Sequence, residues 1–220
     1  MRCARGLVLS LTLAAVAFAA APGDHATSDR VFDDVPYWES VFDDPKRDAW
    51  QKPADLVAAL AVLPGTAVAD LGAGTGYFVR YLSRAVGPHG TVYAVEVEPK
   101  LVAHLRERAE REETANVVPV LTSKTAVRLP AAGVDLLLVV DTYHHIDARV
   151  VYMRRAAGVL RPGGRVAIVD WHKRPLPEGP AMDHKLAEEQ VVAEMERAGY
   201  RLLSAPDVLP YQYVLIFARR

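Results

Sequence analysis

The chain has 220 residues, 51% of them apolar, 24% charged and 8% aromatic, with a formal net charge of −1 and a single cysteine. That length and composition describe one globular domain with room for a sizeable core. Near-neutral charge excludes a protein built mainly to grip nucleic acid or an anionic membrane, since both need a basic surplus, and one Cys excludes a disulfide scaffold, a CxxC redox pair and a Cys-rich zinc module.

Residues 1–21 have the layout of a secretory signal peptide: Arg2 and Arg5 give a basic start, Leu7 to Ala21 is almost unbrokenly apolar, and Ala17-Phe18-Ala19 offers small residues for cleavage. The apolar run is short for a membrane span. The expectation is export to a periplasmic or extracellular space, with no stable membrane association after cleavage and an N-terminal membrane anchor as the alternative. Cys3 precedes the apolar run, which is the wrong side for a lipid anchor. Residues 22–52 form a polar, acidic arm spotted with aromatics (Phe32, Tyr37, Trp38, Phe42, Trp50) and without a clean period. So many aromatics predict an arm that docks on the main domain, because a disordered leader carries few of them.

Regular alternation begins at Pro53, where a helix presents Leu56, Val57, Leu60 and Leu63 on one face and stops at Pro64-Gly65. A short apolar strand follows, Ala67 to Leu71, then a glycine-rich turn and a helix with Phe78, Tyr81, Leu82, Ala85 and Val86 at helical spacing. Next come a strand at Thr91 to Val97, a helix opened by Pro99 with Leu101, Val102, Leu105 and Ala109 inward, and a strand at Val117 to Leu121. Further strands are predicted at Asp135 to Val140 and Arg165 to Asp170, the latter launched by an Arg161-Pro162-Gly163-Gly164 turn, with helices at Asp147 to Leu160 and Asp183 to Ala198. Tyr200 to Ser204 and Tyr211 to Ala218 read as a closing antiparallel pair. Strands alternating with helices and apolar on both faces give an α/β fold: a doubly wound Rossmann-like sheet, mostly parallel with an antiparallel C-terminal strand, helices on both faces, covering 53–220.

Sheets of this kind bind ligands at the carboxyl ends of their strands, where strand order reverses. The first strand ends in Asp70-Leu71-Gly72-Ala73-Gly74-Thr75-Gly76, spaced G-x-G-x-G, whereas the dinucleotide fingerprint is G-x-G-x-x-G. Glu96, at the end of the second strand, is placed for a carboxylate that accepts hydrogen bonds from two ribose hydroxyls. These two motifs, with the strand Asp135 to Asp141 and the turn Leu160 to Arg165, resemble in order and type the class I S-adenosylmethionine-dependent methyltransferases. The resemblance runs from about Trp50 to the C-terminus. It implies S-adenosyl-L-methionine as cofactor, with Asp70 near the methionyl amino group, Gly72, Ala73, Gly74 and Gly76 along the methionyl chain, Glu96 and Val97 at the ribose, Asp141 beside the cofactor, and Ser123 and Lys124 near the adenine. Ser123 stands where the family usually has an acidic residue, so adenine recognition is expected to be weaker.

Methyl transfer needs alignment, exclusion of water and, for some acceptors, removal of a proton. The candidate bases are His144 and His145, since imidazole takes a proton near neutral pH, and Trp50, Tyr143 and His172 are the candidates for a substrate pocket. Asp141, His144, His145 and His172 are residue types that bind metals, but consecutive His residues on an extended segment point oppositely, so no metal is expected. The favoured function is methyl transfer to an oxygen, nitrogen or sulfur nucleophile of a small molecule. The alternatives are a protein-directed, isoaspartyl-type methyltransferase, to which Gly74 to Tyr77 and Val86 to Gly90 are similar, and a non-catalytic cofactor-binding protein. Arsenite methylation requires several thiols, and none follows Cys3.

Overall fold

The computed structural model describes residues 32–220, so the predicted leader lies outside the described residues. Within the arm, Asp34 caps a helix α1 (Val35–Phe42) by accepting from the Tyr37 N–H, and a 3₁₀ turn at Pro45–Arg47 leads to a one-turn helix α2 (Asp48–Gln51). The sequence concealed α1 because Trp38 is its one buried residue, while Tyr37 and Val41 face solvent, leaving no apolar stripe to detect. Trp38 stacks on Phe42 at 5.1 Å and meets Phe32 at 4.7 Å, so the arm's aromatics pack on one another as well as on the domain.

The domain follows as α3 (Pro53–Ala59), β1 (Ala67–Leu71), α4 (Val79–Val86), β2 (Thr91–Glu96), α5 (Pro99–Arg111), β3 (Val117–Leu121), β4 (Val134–Val140), α6 (Arg149–Ala156), β5 (Leu160–Trp171), α7 (Glu188–Arg197), β6 (Tyr200–Ser204) and β7 (Gln212–Arg219). The seven strands lie in the order β3-β2-β1-β4-β5-β7-β6; the first five are parallel and β7 is antiparallel to both its neighbours. The doubly wound, mostly parallel expectation is therefore met, with helices on both faces.

Strand β1 is buried at every position because it lies between β2 and β4 with a core on either side. One core gathers Met153, Val159, Val191, Met195, Tyr200 and Phe217 under α6 and α7. The other gathers Leu56, Leu60, Leu82, Val86, Val92 and Val214 under α3 and α4.

Several boundaries differ from the predicted ones, among them the end of α3 at Ala59 rather than beyond Leu63. The helix expected to reach Leu160 ends at Ala156 and passes through a 3₁₀ turn, because Leu160 pairs with Val134 and starts β5 five residues early. That extension carries the Pro162-Gly163-Gly164 segment into the strand, with a register shift between Val134 and Leu136 taking up the irregularity. The helix expected from Asp183 begins at Glu188, since Lys185 is buried with its Nζ donating to the Arg174 carbonyl at 3.0 Å, which closes the preceding loop onto the domain.

Candidate active site

Strand order reverses between β1 and β4, and the carboxyl ends of β1, β2, β4 and β5 meet there. After Leu71 the chain turns at Gly72, where φ is +78° and a Cβ would stand 2.2 Å from Thr142 Oγ1 in the loop after β4. Only glycine allows both that backbone and that approach. At Gly74 (φ +56°) a Cβ would lie 3.3 Å from the Phe42 ring, so the arm rests directly on the turn.

Glu96 closes β2 with a buried carboxylate that accepts from the backbone N–H groups of Gly74 (3.0 Å), Val97 (2.6 Å) and Glu98 (3.2 Å). Burial raises its pKa and these three donors pull it down, leaving it above the usual carboxylate range. Asp70 is buried at the end of β1, where desolvation pushes its carboxyl to about 7 against the pull of Arg47.

Asp141, in the left-handed region at φ +53°, is likewise raised by burial to about 7, again opposed by Arg47. Arg47 Nη2 donates to Asp141 at 3.4 Å, its Nη1 donates to the Phe42 carbonyl at 3.0 Å, and its guanidinium lies 4.0 Å from the Tyr77 ring centroid. Gln212 donates to Asp141 and accepts from Gln51, which joins β7, the loop after β4 and the arm in one network. Asp43 fastens the arm at the other end of the turn, accepting from Thr75 Oγ1 at 2.9 Å and from Arg108 at 2.8 Å.

His144 and His145 lie on a 3₁₀ turn, Tyr143–His145, and their rings come within 4.2 Å of each other, whereas the sequence led us to expect an extended segment that would part them. His144 is buried with Nδ1 2.9 and 3.0 Å from the two oxygens of Asp170, and the His145 ring meets Phe32 edge-on at 5.6 Å. Burial alone would lower the pKa of His144, but the charge and hydrogen bond of Asp170, with Asp141 behind them, outweigh it and raise the value.

Tyr143 turns away from this group into the core, where its hydroxyl donates to Glu194 at 3.0 Å. His172 Nδ1 pairs with Glu188 at 2.8 Å, and Trp50 packs on Trp171 at 5.0 Å and Tyr211 at 6.2 Å. Ser123 and Lys124 occupy a turn held beside the end of β2 by the Thr122 N–H on the Glu96 carbonyl (2.8 Å); Ser123 Oγ donates to the Ala126 carbonyl and Lys124 is exposed. Among the described residues no group of three or more His, Cys, Asp or Glu is arranged to hold a metal ion, and no helix is long and apolar enough to cross a membrane.

Sequence reasoning did not single out Arg47 or Gln212. A cation flanked by Asp43, Asp44 and Asp48, three residues before Trp50, is the signal that could have found the first. Gln212 carries none, since it reads as one polar residue opening an apolar strand.

A methyltransferase-domain family model matches residues 68–164. A solved S-adenosylmethionine-dependent methyltransferase from Aquifex aeolicus superposes with a TM-score of 0.79 at 27% identity, covering 84% of this chain and 97% of that one. Residues 68–164 thus match a methyltransferase domain, and the chain is similar in sequence and fold to the S-adenosylmethionine-dependent methyltransferases. Among curated relatives, an arsenite methyltransferase from Halobacterium salinarum is 31% identical over 57% of this chain and 32% of its own length. A 27-O-demethylrifamycin SV methyltransferase from Amycolatopsis mediterranei is 28% identical over 71% and 61% respectively, so this chain spans about one to three fifths of the length of these relatives. These similarities imply S-adenosyl-L-methionine as the cofactor, and the donor set suits it. Two carboxylates, the buried Asp70 and the partly covered Asp141, offer negative charge to a cationic ligand beside a turn without side-chain bulk.

Proposed function

We propose that this methyltransferase carries a methyl group to an oxygen, nitrogen or sulfur nucleophile of a small molecule. The observation that carries the reading is the convergence, at one end of the sheet, of the glycine turn, two buried carboxylates (Asp70 and Glu96), the partly covered Asp141 and the His144–Asp170 pair. Bound S-adenosylmethionine supplies an electrophilic methyl on a sulfonium. For its part the protein offers Asp70 and Asp141 to the cationic methionyl end, Gly72, Ala73, Gly74 and Gly76 as a surface of close approach, Glu96 and Val97 to the ribose, and Ser123 and Lys124 beside the adenine.

Phe42 rests on the turn at Gly74 and Arg47 reaches Asp141, so the arm lies against this end of the sheet. His144 and His145 are the groups placed to accept a proton, while Trp50 with Trp171 gives the acceptor an aromatic wall, with His172 at its rim. A substrate like that of the arsenite relative is disfavoured, because Cys3 is the only thiol in the chain. The small-molecule reading draws support from the rifamycin relative. Export rests on the composition of residues 1–21, and fractionation of the host with an antibody to the protein tests it.

Isothermal calorimetry tests the reading. Both S-adenosylmethionine and its demethylated product are expected to bind, and Asp70→Ala to weaken binding by about tenfold or more, the loss of one hydrogen bond or close contact to a charged group. Because Asp70 and Asp141 are raised to about 7 and a bound cation favours their ionised forms, affinity for S-adenosylmethionine should rise as pH increases from 6 to 8. Failure of the intact protein to bind either ligand would end the proposal.

A further inference from the structure

We propose that residues 42–51 of the arm form a self-inhibiting clasp, in which Arg47 is a resident counter-cation that has to let go of Asp70 and Asp141 before a cationic cofactor is held there; the inference rests on the methyltransferase reading above.

The clasp grips the glycine turn and the helix behind it. Phe42 lies against the turn, 3.3 Å from where a Cβ on Gly74 would stand. Asp43 accepts through one oxygen from Thr75 Oγ1 at 2.9 Å and from Arg108 Nη1 at 2.8 Å, and Asp48 accepts from the Tyr77 hydroxyl just past the turn. Between these holds, Arg47 donates within the arm to the Phe42 carbonyl and the Gln51 side chain, then reaches out to Asp141 Oδ2. Gln51 in turn donates to Gln212, which donates to Asp141 Oδ1. Both oxygens of Asp141 are thus taken by the arm or by a group tied to it.

Arg47 also opposes the burial of Asp70, and in both carboxyls it is the main charge pulling the pKa down. The negative charge that the pair offers to a ligand is therefore already partly neutralised. A second cation brought beside it meets repulsion from the first.

The hold is loose. Arg47 meets Asp141 through a single contact of 3.4 Å, well beyond the roughly 2.7–2.9 Å of a charge-assisted bond and without the paired fork that a guanidinium makes with a carboxylate. By contrast, Arg149 in the core reaches Glu194 with two groups at 2.7 and 2.9 Å. Burial holds the pKa of Arg47 below its ordinary value against the pull of Asp141, so its charge is poorly solvated where it stands. Asp43 Oδ1 is buried with no hydrogen-bond partner among the described residues, a cost that release relieves. Lys52, which joins the clasp to α3, sits at φ +42°, a left-handed backbone that a Cβ disfavours. A permanent strut carries none of these penalties.

Calorimetry of the full chain with S-adenosylmethionine and, separately, its demethylated product tests the clasp. Arg47→Met removes the charge and keeps most of the length, and should tighten binding of both ligands about tenfold or more, the worth of one hydrogen bond to a charged group. Arg47→Lys restores the cation and should return the affinity toward that of the parent. Asp43→Ala loosens the clasp away from the acidic pair and should tighten binding as well. An arm that serves the bound ligand, by holding its carboxylate or closing over it, predicts the opposite sign. Weaker or unchanged binding in both Arg47→Met and Asp43→Ala overturns the clasp and leaves the methyltransferase reading in place.

Trypsin reads the unaltered protein, so the test stands even if a variant fails to fold. The bonds after Lys46 and Arg47, located by mass spectrometry, should be cut faster when S-adenosylmethionine is present. Slower or unchanged cutting there, with the ligand bound, also overturns the clasp. Binding of neither ligand by the parent or by any variant overturns both readings.

Discussion

Arg149→Met is expected to destabilise the fold by about 3–5 kcal/mol, the usual cost of stranding one member of a buried ion pair. Arg149 is fully buried on α6; its Nε donates to Glu194 at 2.7 Å and its Nη2 at 2.9 Å, and Tyr143 and Gln190 complete the shell around the same carboxylate. Burial alone would raise the pKa of Glu194, but Arg149, Gln190 and Tyr143 together hold it below the usual value.

A carboxyl depressed in the folded state adds stability above its unfolded pKa and loses it as pH falls through the folded value. In Arg149→Met the sign reverses: Glu194 keeps its burial without its counter-charge, its pKa rises, and its contribution is lost as pH climbs instead. Urea unfolding at several values of pH measures both effects. A double variant, Arg149→Met with Glu194→Leu, should recover most of the loss, because a well-packed apolar pair replaces a buried ion pair at little or no cost. A single variant within about 1 kcal/mol of the parent would show that the pair contributes little.

Glu96→Ala is expected to raise the dissociation constant for S-adenosylmethionine by on the order of 100-fold or more, since two hydrogen bonds to a charged acceptor are worth about 1.5–3 kcal/mol each. The residue acts twice. It is proposed to hold the ribose, and it already joins the glycine turn to the end of β2 through the N–H groups of Gly74, Val97 and Glu98.

Glu96→Gln separates the two roles: it keeps the shape but turns one acceptor oxygen into a donor that faces backbone N–H groups. Its affinity should fall nearly as far, with a smaller loss of thermal stability than in Glu96→Ala. Calorimetry and a melting curve on the same samples give the comparison. Unchanged affinity in both variants would remove Glu96 from the binding site and leave it a structural strut.

The glycine turn and the two acidic strand ends were legible because their information is local. Gly72 answers to a left-handed φ, and Asp70 and Glu96 fall at the last turns of apolar strands that sequence alone locates within a residue or so. The histidines were half legible. Their residue type pointed to proton transfer, but their relative orientation followed from a 3₁₀ turn that a three-residue window cannot announce. Tyr143, one residue before them, faces the opposite side of the chain and joins the core ion pair, so neighbours in sequence were divided between site and scaffold.

By itself the sequence determined the class of fold, its strand-by-strand order of elements and the positions of the glycine turn and the acidic strand ends, because hydrophobic periodicity, glycine spacing and strand-terminal carboxylates are short-range signals. Only the tertiary structure decided which groups meet. Asp170 reaches His144 across 26 residues, Arg47 reaches Asp141 across 94, and Gln51 reaches Gln212 across 161. Such pairs exist because a parallel sheet brings distant strand ends to one edge and the arm folds back over it, and no local pattern in the chain encodes which of its many polar residues that closure will bring together.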